Sequence, residues 1–370
     1  MLYRPTPAIA AVMRAFEGGG AQRDMVLLCN ALHQRGIAVM VLALRASGPL
    51  RDLLDPAIEV AAIPGERIRY AIPGLRKLMR ARAPRIIVSS ESNLNLCCLA
   101  AVRSLPAAER PKLVLREVSS PSVAQSHDPH FQNRLAYRLL RRVYRYADRI
   151  VTLTRGARDD LVRNFAVPES RVAVMRSNAV VPTATVQRLA RWDAEAGREP
   201  GLIVSIGRLS PEKDHRLLLR ALARVAARRA WRLAIVGDGP ERGALETEAQ
   251  ALGLSERVSF VGYDADPFRW MMRASLVVCS SRYEGLGNVI IEALACGTPV
   301  VSTDCPFGPR EILQDGLCGT LVPPHDASAM AQAISAALEA PVDRRALMRR
   351  GLDYSAEKAA SAFLEATEGL

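Results

Sequence analysis

The sequence predicts an α/β protein built from two doubly wound, parallel-sheet domains, and three observations carry that prediction. The chain has 370 residues, too many for one ordinary domain and comfortable for two. Short aliphatic or β-branched runs alternate with helical patterns, as parallel strands joined by helical crossovers require. The alternation breaks near Val181–Gly201, where Pro182, Pro200 and polar residues replace apolar periodicity. Domains are therefore expected over 1–181 and 201–342, with a helical tail over 343–370 that crosses back to the first.

In chain order, Ala8–Met13 reads as a strand, followed by a glycine-rich turn and a helix through Asp24–Gln34. Ala38–Ala43 is a strand, Leu75–Arg82 a helix, and Arg85–Ser89 and Lys112–Leu115 are strands. A long helix over Asn133–Tyr146, a strand over Arg149–Leu153, a helix over Arg155–Asn164 and a strand over Val172–Met175 complete the first half. The second half repeats the logic. Strands are expected at Leu202–Ile206, Trp231–Val236, Val258–Val261, Leu276–Cys279 and Pro299–Ser302, with helices at Asp214–Arg228, Glu241–Leu252, Asn288–Ala295 and Ala327–Glu339.

Composition narrows the function classes. Hydrophobic residues make up 49% of the chain and charged residues 24%, an ordinary globular balance. No uncharged apolar run is long enough to span a bilayer. The apolar stretch Ala8–Met13 is too short for a signal peptide and runs into a charged, glycine-rich turn. A cytoplasmic location is expected. The seven cysteines are scattered, with only Cys97 and Cys98 adjacent and no CxxC pair, so neither a zinc site nor a disulfide framework is indicated. Net charge is +12, unevenly spread. Residues 1–185 hold 28 basic and 14 acidic side chains, +14, and the rest hold 22 against 24, −2. The first half therefore wants an anionic partner.

In open α/β sheets, ligands bind beyond the carboxyl ends of the strands, so the text after each strand matters most. After the first comes Glu17-Gly18-Gly19-Gly20-Ala21-Gln22, where glycines let a ligand approach the backbone at a helix N-terminus. After Leu202–Ile206 comes Gly207-Arg208-Leu209-Ser210-Pro211-Glu212-Lys213-Asp214, whose Arg208 and Lys213 can clamp a diphosphate. After Trp231–Val236, Gly237-Asp238-Gly239-Pro240 lacks the third glycine of a dinucleotide fingerprint. After Leu276–Cys279, Glu284 lies in a glycine-rich loop before the helix that carries Glu292. Both carboxylates are placed to meet sugar and ribose hydroxyls beside a helix N-terminus. Alone, each of these also reads as an ordinary turn, cap or solvated loop.

Together they resemble family 4 of the retaining glycosyltransferases, with its GT-B architecture of two Rossmann-like domains facing across a cleft. The matching text is GGGAQ at 18–22, GRLSPEKD at 207–214, VGDGPER at 236–242, EGLGNVIIEALACGTPVVSTDC at 284–305, GPREIL at 308–313 and GTLVPPHD at 319–326. The first half matches at its glycine loop and at TLTRGARDDLVRNFAVPESRVAVMRSNAV, 152–180. The resemblance implies that Arg208 and Lys213 neutralise the leaving diphosphate, that Glu284 contacts the transferred sugar, and that Glu292 binds the donor ribose. Backbone at Gly207, Gly237, Gly285, Leu286, Gly287, Asn288 and Val289 would line the donor, and Gly19 and Gly20 would approach it from the opposite domain. The donor is a nucleotide-diphosphate sugar, UDP favoured, used without metal or other cofactor; the acceptor is a glycan or a lipid-linked sugar. Transfer would retain anomeric configuration through a same-face, oxocarbenium-like state. Many relatives carry a histidine after a first-domain strand, where this chain reads Leu115-Arg116-Glu117-Val118-Ser119-Ser120. Glu117, a nearby backbone group or His127 is left to fill that place.

The basic first half concentrates arginines in two places, Glu66–Arg85 and Asn133–Arg149. The second interleaves Arg134, Arg138, Arg141, Arg142 and Arg145 with Tyr137, Leu140, Val143 and Tyr144. Such a surface suits an anionic membrane face. No nucleic-acid module is visible. Asp264-Ala265-Asp266 matches the metal-binding DxD of a different architecture and reads here as a loop. A nucleotide-sugar epimerase of the same shape and a non-catalytic sugar-nucleotide-binding protein are the competing functions.

Overall fold

The computed structural model describes residues 8–17, 19–65, 68–119, 121–127, 131–192, 197–225 and 230–370. Gly18, Glu66, Arg67, Ser120, residues 193–196 of the expected seam and residues 226–228 of an expected helix lie outside this set, as do the side chains of Arg69, His127 and Asn133. The chain divides into two compact units, 1–182 with 355–370, and 183–354.

The first unit is a seven-stranded parallel sheet in the order β3-β2-β1-β4-β5-β6-β7. Its strands are β1 Ile9–Met13, β2 Val39–Ala43, β3 Glu59–Ala62, β4 Ile86–Ser89, β5 Lys112–Glu117, β6 Arg149–Thr152 and β7 Val172–Val174. The central strands IAAVM and VMVLA are buried at every residue, as expected of parallel strands covered on both faces. The helices are α1 Gly20–Gln34, α2 Ala71–Arg82, α3 Ser92–Arg103, α4 Pro121–His127, α5 Phe131–Val143 and α6 Arg155–Phe165. Strand β3 and helix α3 have no counterpart in the sequence reading. Sheet-edge β3 is only four residues, EVAA, and half-exposed, and α3 is buried around much of its circumference, which blurs its period.

The second unit opens with α7 Thr183–Ala190 and holds a six-stranded parallel sheet, β10-β9-β8-β11-β12-β13. The strands are β8 Leu202–Ile206, β9 Arg232–Val236, β10 Val258–Gly262, β11 Leu276–Cys279, β12 Val300–Thr303 and β13 Thr320–Val322. The helices are α8 His215–Leu222, α9 Arg242–Ala251, α10 Phe268–Arg273, α11 Asn288–Ala295, α12 Gly308–Ile312, α13 Ala327–Ala337 and α14 Arg344–Gly351. Helix α8 stops at Leu222, short of the expected Arg228.

The tail is not one helix. Helix α14 packs on α11, so closely that a side chain at Gly351 would fall 2.1 Å from the Ala295 nitrogen. Ser355 then bridges to Val181, caps α15 (Ala356–Ala366) by accepting the Lys358 amide at 3.3 Å, and α15 packs on α1. Arg35 of α1 fixes it, donating to the Glu357 carbonyl at 2.6 Å and to Ser361 at 2.7 Å. Both units are thus Rossmann-like, doubly wound α/β sheets.

Candidate donor site in the second unit

In both sheets the chain builds outward to one side and then returns to build the other, leaving a topological switch point where ligands bind in this fold class. In the second unit it lies between β8 and β11. Loop 207–214 leaves β8, loop 280–287 leaves β11, and loop 304–307 leaves β12 beside it.

Glycines bring these loops together. A side chain at Gly237 would meet the Gly207 carbonyl oxygen at 1.9 Å, so the loops after β8 and β9 can touch only with glycine there. A side chain at Gly308 would lie 1.6 Å from the Leu286 carbonyl oxygen. The Glu284 amide donates to the Pro306 carbonyl at 2.9 Å, and Phe307 N–H returns to the Glu284 carbonyl at 3.2 Å. Ser280 Oγ donates to the Lys213 carbonyl at 2.9 Å, tying the β11 loop to the β8 loop.

On this frame the stem of Lys213 runs across Gly207, 3.6 Å from where a side chain would begin. Its ammonium reaches Glu284 Oε1 at 2.5 Å, with 24% and 12% of the two side chains exposed. Ser281 Oγ donates to the same carboxylate oxygen at 2.7 Å. Burial alone would pull the Lys213 pKa down, but the adjoining Glu284 carboxylate outweighs it and the pKa stands raised. Lys213 is therefore a fixed cation at neutral pH. Arg208, in the same loop, is exposed and pairs with no carboxylate among the described residues. Gly287, at φ 101° where glycine is favoured, leads into α11. Asn288 and Val289 open that helix, partly exposed, at the end where amides lack intrahelical acceptors. Gly285 is partly exposed in the same loop and Leu286 is buried.

Other predicted residues lie elsewhere. Glu292 sits in the second turn of α11 and is 4% exposed. Gly19 and Gly20 lie after β1 in the first unit, where the side chain of Gln22 folds back over Gly19. Glu117 corrects the expectation placed on it. It is 3% exposed, and its carboxylate accepts from Tyr144 at 2.5 Å, Tyr137 at 2.9 Å and Ser119 Oγ at 2.7 Å. Burial raises its pKa against those hydrogen bonds. With both oxygens engaged inside the unit, Glu117 holds the end of β5 and is not presented to a reacting sugar. Asp264 and Asp266 behave as a loop: Trp270 donates to the first and Arg188 pairs with the second, each at 2.7 Å.

Sequence reasoning passed over several neighbours. Asp214, left-handed at φ 44° and 5% exposed, accepts from Arg282 Nε at 2.8 Å. His215 beside it is 1% exposed, and burial followed by the Lys213 charge pushes its pKa down to about 4. In the first unit, Glu91 follows β4 at that sheet's own switch point and accepts the Arg14 amide at 3.3 Å; burial raises its pKa. The polar run SSES at 89–92 was its only signal. Among the described residues, no group of three or more His, Cys, Asp or Glu is placed to hold a metal.

Comparison with known proteins agrees with this architecture. Residues 18–177 match the family described as Glycosyltransferase Family 4, and residues 200–340 match Glycosyl transferases group 1. The chain is 31% identical over 230 residues to the N-acetylgalactosamine-N,N'-diacetylbacillosaminyl-diphospho-undecaprenol 4-alpha-N-acetylgalactosaminyltransferase of Campylobacter jejuni. That match covers 62% of this chain and 61% of the relative, under two thirds of its length. It is 30% identical to the alpha-D-kanosaminyltransferase of Streptomyces kanamyceticus, over 68% of this chain and 70% of that one. Among solved structures, Anabaena HepE in complex with UDP-glucose shares the fold at a TM-score of 0.76 and 20% identity, covering 98% of this chain and 99% of its own. Glycine-built strand-end loops, two Rossmann-like sheets and both family matches lead to one conclusion: the chain belongs to the family 4, group 1 glycosyltransferases.

Proposed function

We propose that the protein transfers a hexose or N-acetylhexosamine from a nucleotide-diphosphate sugar, UDP favoured, to a lipid-linked or polysaccharide acceptor, with retention of anomeric configuration. The observation that carries this reading is the Lys213–Glu284 pair at the second switch point, with the exposed Arg208 in the same loop. Cleaving a sugar–phosphate bond builds negative charge on the diphosphate and positive charge on the ring. Arg208 and Lys213 answer the first and Glu284 the second, each such contact contributing about 2.7–4 kcal/mol when preorganised. The amides of Gly287, Asn288 and Val289 supply further donors to an anion. Glu292 is assigned to the ribose, and Gly19 and Gly20 to the donor from the first unit. With two cations in place, no resident metal is assigned, and activity should survive chelation by EDTA.

The acceptor class draws on relatives. The Campylobacter enzyme is named for an undecaprenol diphosphate acceptor, and HepE was solved with UDP-glucose. We assign the basic first unit to the cytoplasmic face of an anionic membrane, where such an acceptor is displayed.

A thermal-shift screen of nucleotide sugars tests the donor, because a ligand at a hundred times its Kd adds about 2.7 kcal/mol of stability. A UDP-sugar should give the largest shift, and no shift from any nucleotide sugar would contradict the reading. Nuclear magnetic resonance of the first-formed product then reads the anomer. Product of inverted configuration, or a free epimer formed without acceptor, would overturn the assigned reaction.

A further inference from the structure

We propose that Glu91 is the acceptor-binding carboxylate of the first unit, taking the hydrogen bond of the sugar hydroxyl that receives the transferred residue. The proposal deepens the reading of a glycan or lipid-linked acceptor and rests on it. It also says which end of such an acceptor enters: a sugar already attached, not a phosphate.

The strand ends narrow the choice. The first unit's switch point lies between β1 and β4, where this fold class takes its ligands. Among the described residues, Glu17 follows β1, Glu91 follows β4 and Glu117 closes β5. Glu17 is bound to Arg45. Glu117 takes four hydrogen bonds, from Tyr137, Tyr144 and both the amide and the hydroxyl of Ser119. An ionised carboxylate offers about four acceptor positions, so Glu117 is full. Glu91 is partly exposed and meets two donors among the described residues, the Arg14 amide at 3.3 Å and the Gln22 side chain. About half of its acceptor capacity is left for a ligand.

Its mounting is rigid. Ser90 and Glu91 alone separate β4 from α3. The Glu91 carbonyl accepts the Asn95 amide at 2.7 Å as the helix opens, and buried Leu94, Cys98 and Val102 anchor that helix. A carboxylate at a helix start is well placed to turn back on the free amides. Glu91 makes no such capping bond and reaches across to the end of β1 instead. Gln22 is aimed by its own loop, since a side chain at Gly19 would fall 2.1 Å from Gln22 Oε1. Charge then selects the chemistry. Arg14 and Glu17 are the charged neighbours of the Glu91 carboxylate, and Glu17 carries Arg45 with it. A sugar hydroxyl donates to the open carboxylate positions, whereas a phosphate brings negative charge of its own against them. The reaction that supplies the acceptor is therefore one that has already placed a sugar on the carrier.

The test is saturation-transfer difference nuclear magnetic resonance on the full-length protein, with and without UDP. The probes are the methyl glycosides of glucose, galactose, N-acetylglucosamine and N-acetylgalactosamine. At least one should receive saturation from wild type. Glu91→Gln keeps the shape and removes the charge, and should weaken that glycoside by about tenfold or more, with the melting temperature and UDP affinity of wild type. Tyr144→Phe, which disturbs Glu117 instead, should leave glycoside affinity as it is in wild type. Farnesyl phosphate should fail to displace the glycoside. Equal glycoside affinity in wild type and Glu91→Gln, saturation of none of the four glycosides, or displacement by farnesyl phosphate would overturn the assignment. UDP binding measured alongside keeps the two readings apart. Loss of UDP binding in wild type would remove the donor assignment while the glycoside result stood.

Discussion

In the first unit the strand order reverses between β1 and β4, and the loops there set the Glu91 carboxylate against a backbone amide, that of Arg14. In the second it reverses between β8 and β11, and the loops set Lys213 against Glu284 with Arg208 close by in sequence. One topology has been given two electrostatic characters. A carboxylate met by an amide suits hydroxyl groups and repels phosphate, whereas a fixed cation backed by a second suits a diphosphate. Interiors differ as well. The first unit buries Arg116 completely, donating at 2.6 Å to Asn178, which in turn donates to Asp24 at 2.6 Å. It also buries Glu117 among tyrosines. The second unit has its own apolar cluster, and its buried carboxylates, Asp214 and Glu292, lie in the loop after β8 and in α11.

Substitutions sharpen that contrast. The largest effect is expected from Arg208→Ala combined with Lys213→Ala, which should lower transfer by roughly four orders of magnitude or more if each cation supplies about 2.7–4 kcal/mol. Arg208→Ala alone is the cleaner case, because it leaves no buried partner behind, and its melting temperature should match wild type. Near-normal turnover in the double variant would dissolve the distinction between the two switch points.

Glu284→Gln should cost on the order of a hundredfold in transfer while much of the UDP affinity survives. Equal losses of both would instead mark Glu284 as a donor-binding group only.

Acid should act on the second unit through His215. Its folded pKa, about 4, lies below the ordinary 6.5, so the unfolded chain takes up a proton first as pH falls. Stability is then full above about 6.5 and declines towards 4, by roughly 3 kcal/mol in all. His215→Gln should flatten that part of the urea-unfolding profile, and an unchanged slope would refute the assignment.

Tyr144→Phe probes the first unit. Removing a hydrogen bond to a buried carboxylate should cost about 1.5–3 kcal/mol in stability, with donor affinity untouched. A fall in UDP affinity at unchanged melting temperature would return Glu117 to the reaction.

Much of the second unit was legible because its central strands β8, β9, β11 and β12 are short, mostly apolar runs followed at once by glycine, serine or aspartate. That punctuation marks strand ends, which is where ligands bind. The Lys213–Glu284 contact was not legible. The two residues are 71 positions apart and meet because β8 and β11 are neighbours, a fact of topology rather than of local pattern. Glu117 was misjudged for a related reason. Its place at the end of β5 could be read, but not Tyr137 and Tyr144 folding over it from 20 and 27 residues away. The tail, expected to be helical, forms two helices divided at 352–355 between the units. Gly351, just before that division, is a close-contact point on α11.

Isothermal titration of UDP into wild type and into the Arg208→Ala/Lys213→Ala variant tests the central claim most directly. A cationic loop at the second switch point that holds the diphosphate predicts binding by wild type, weakened by two orders of magnitude or more in the variant, each lost charge-assisted contact being worth about 1.5–3 kcal/mol. Equal affinity in the two proteins would show that the diphosphate is held elsewhere.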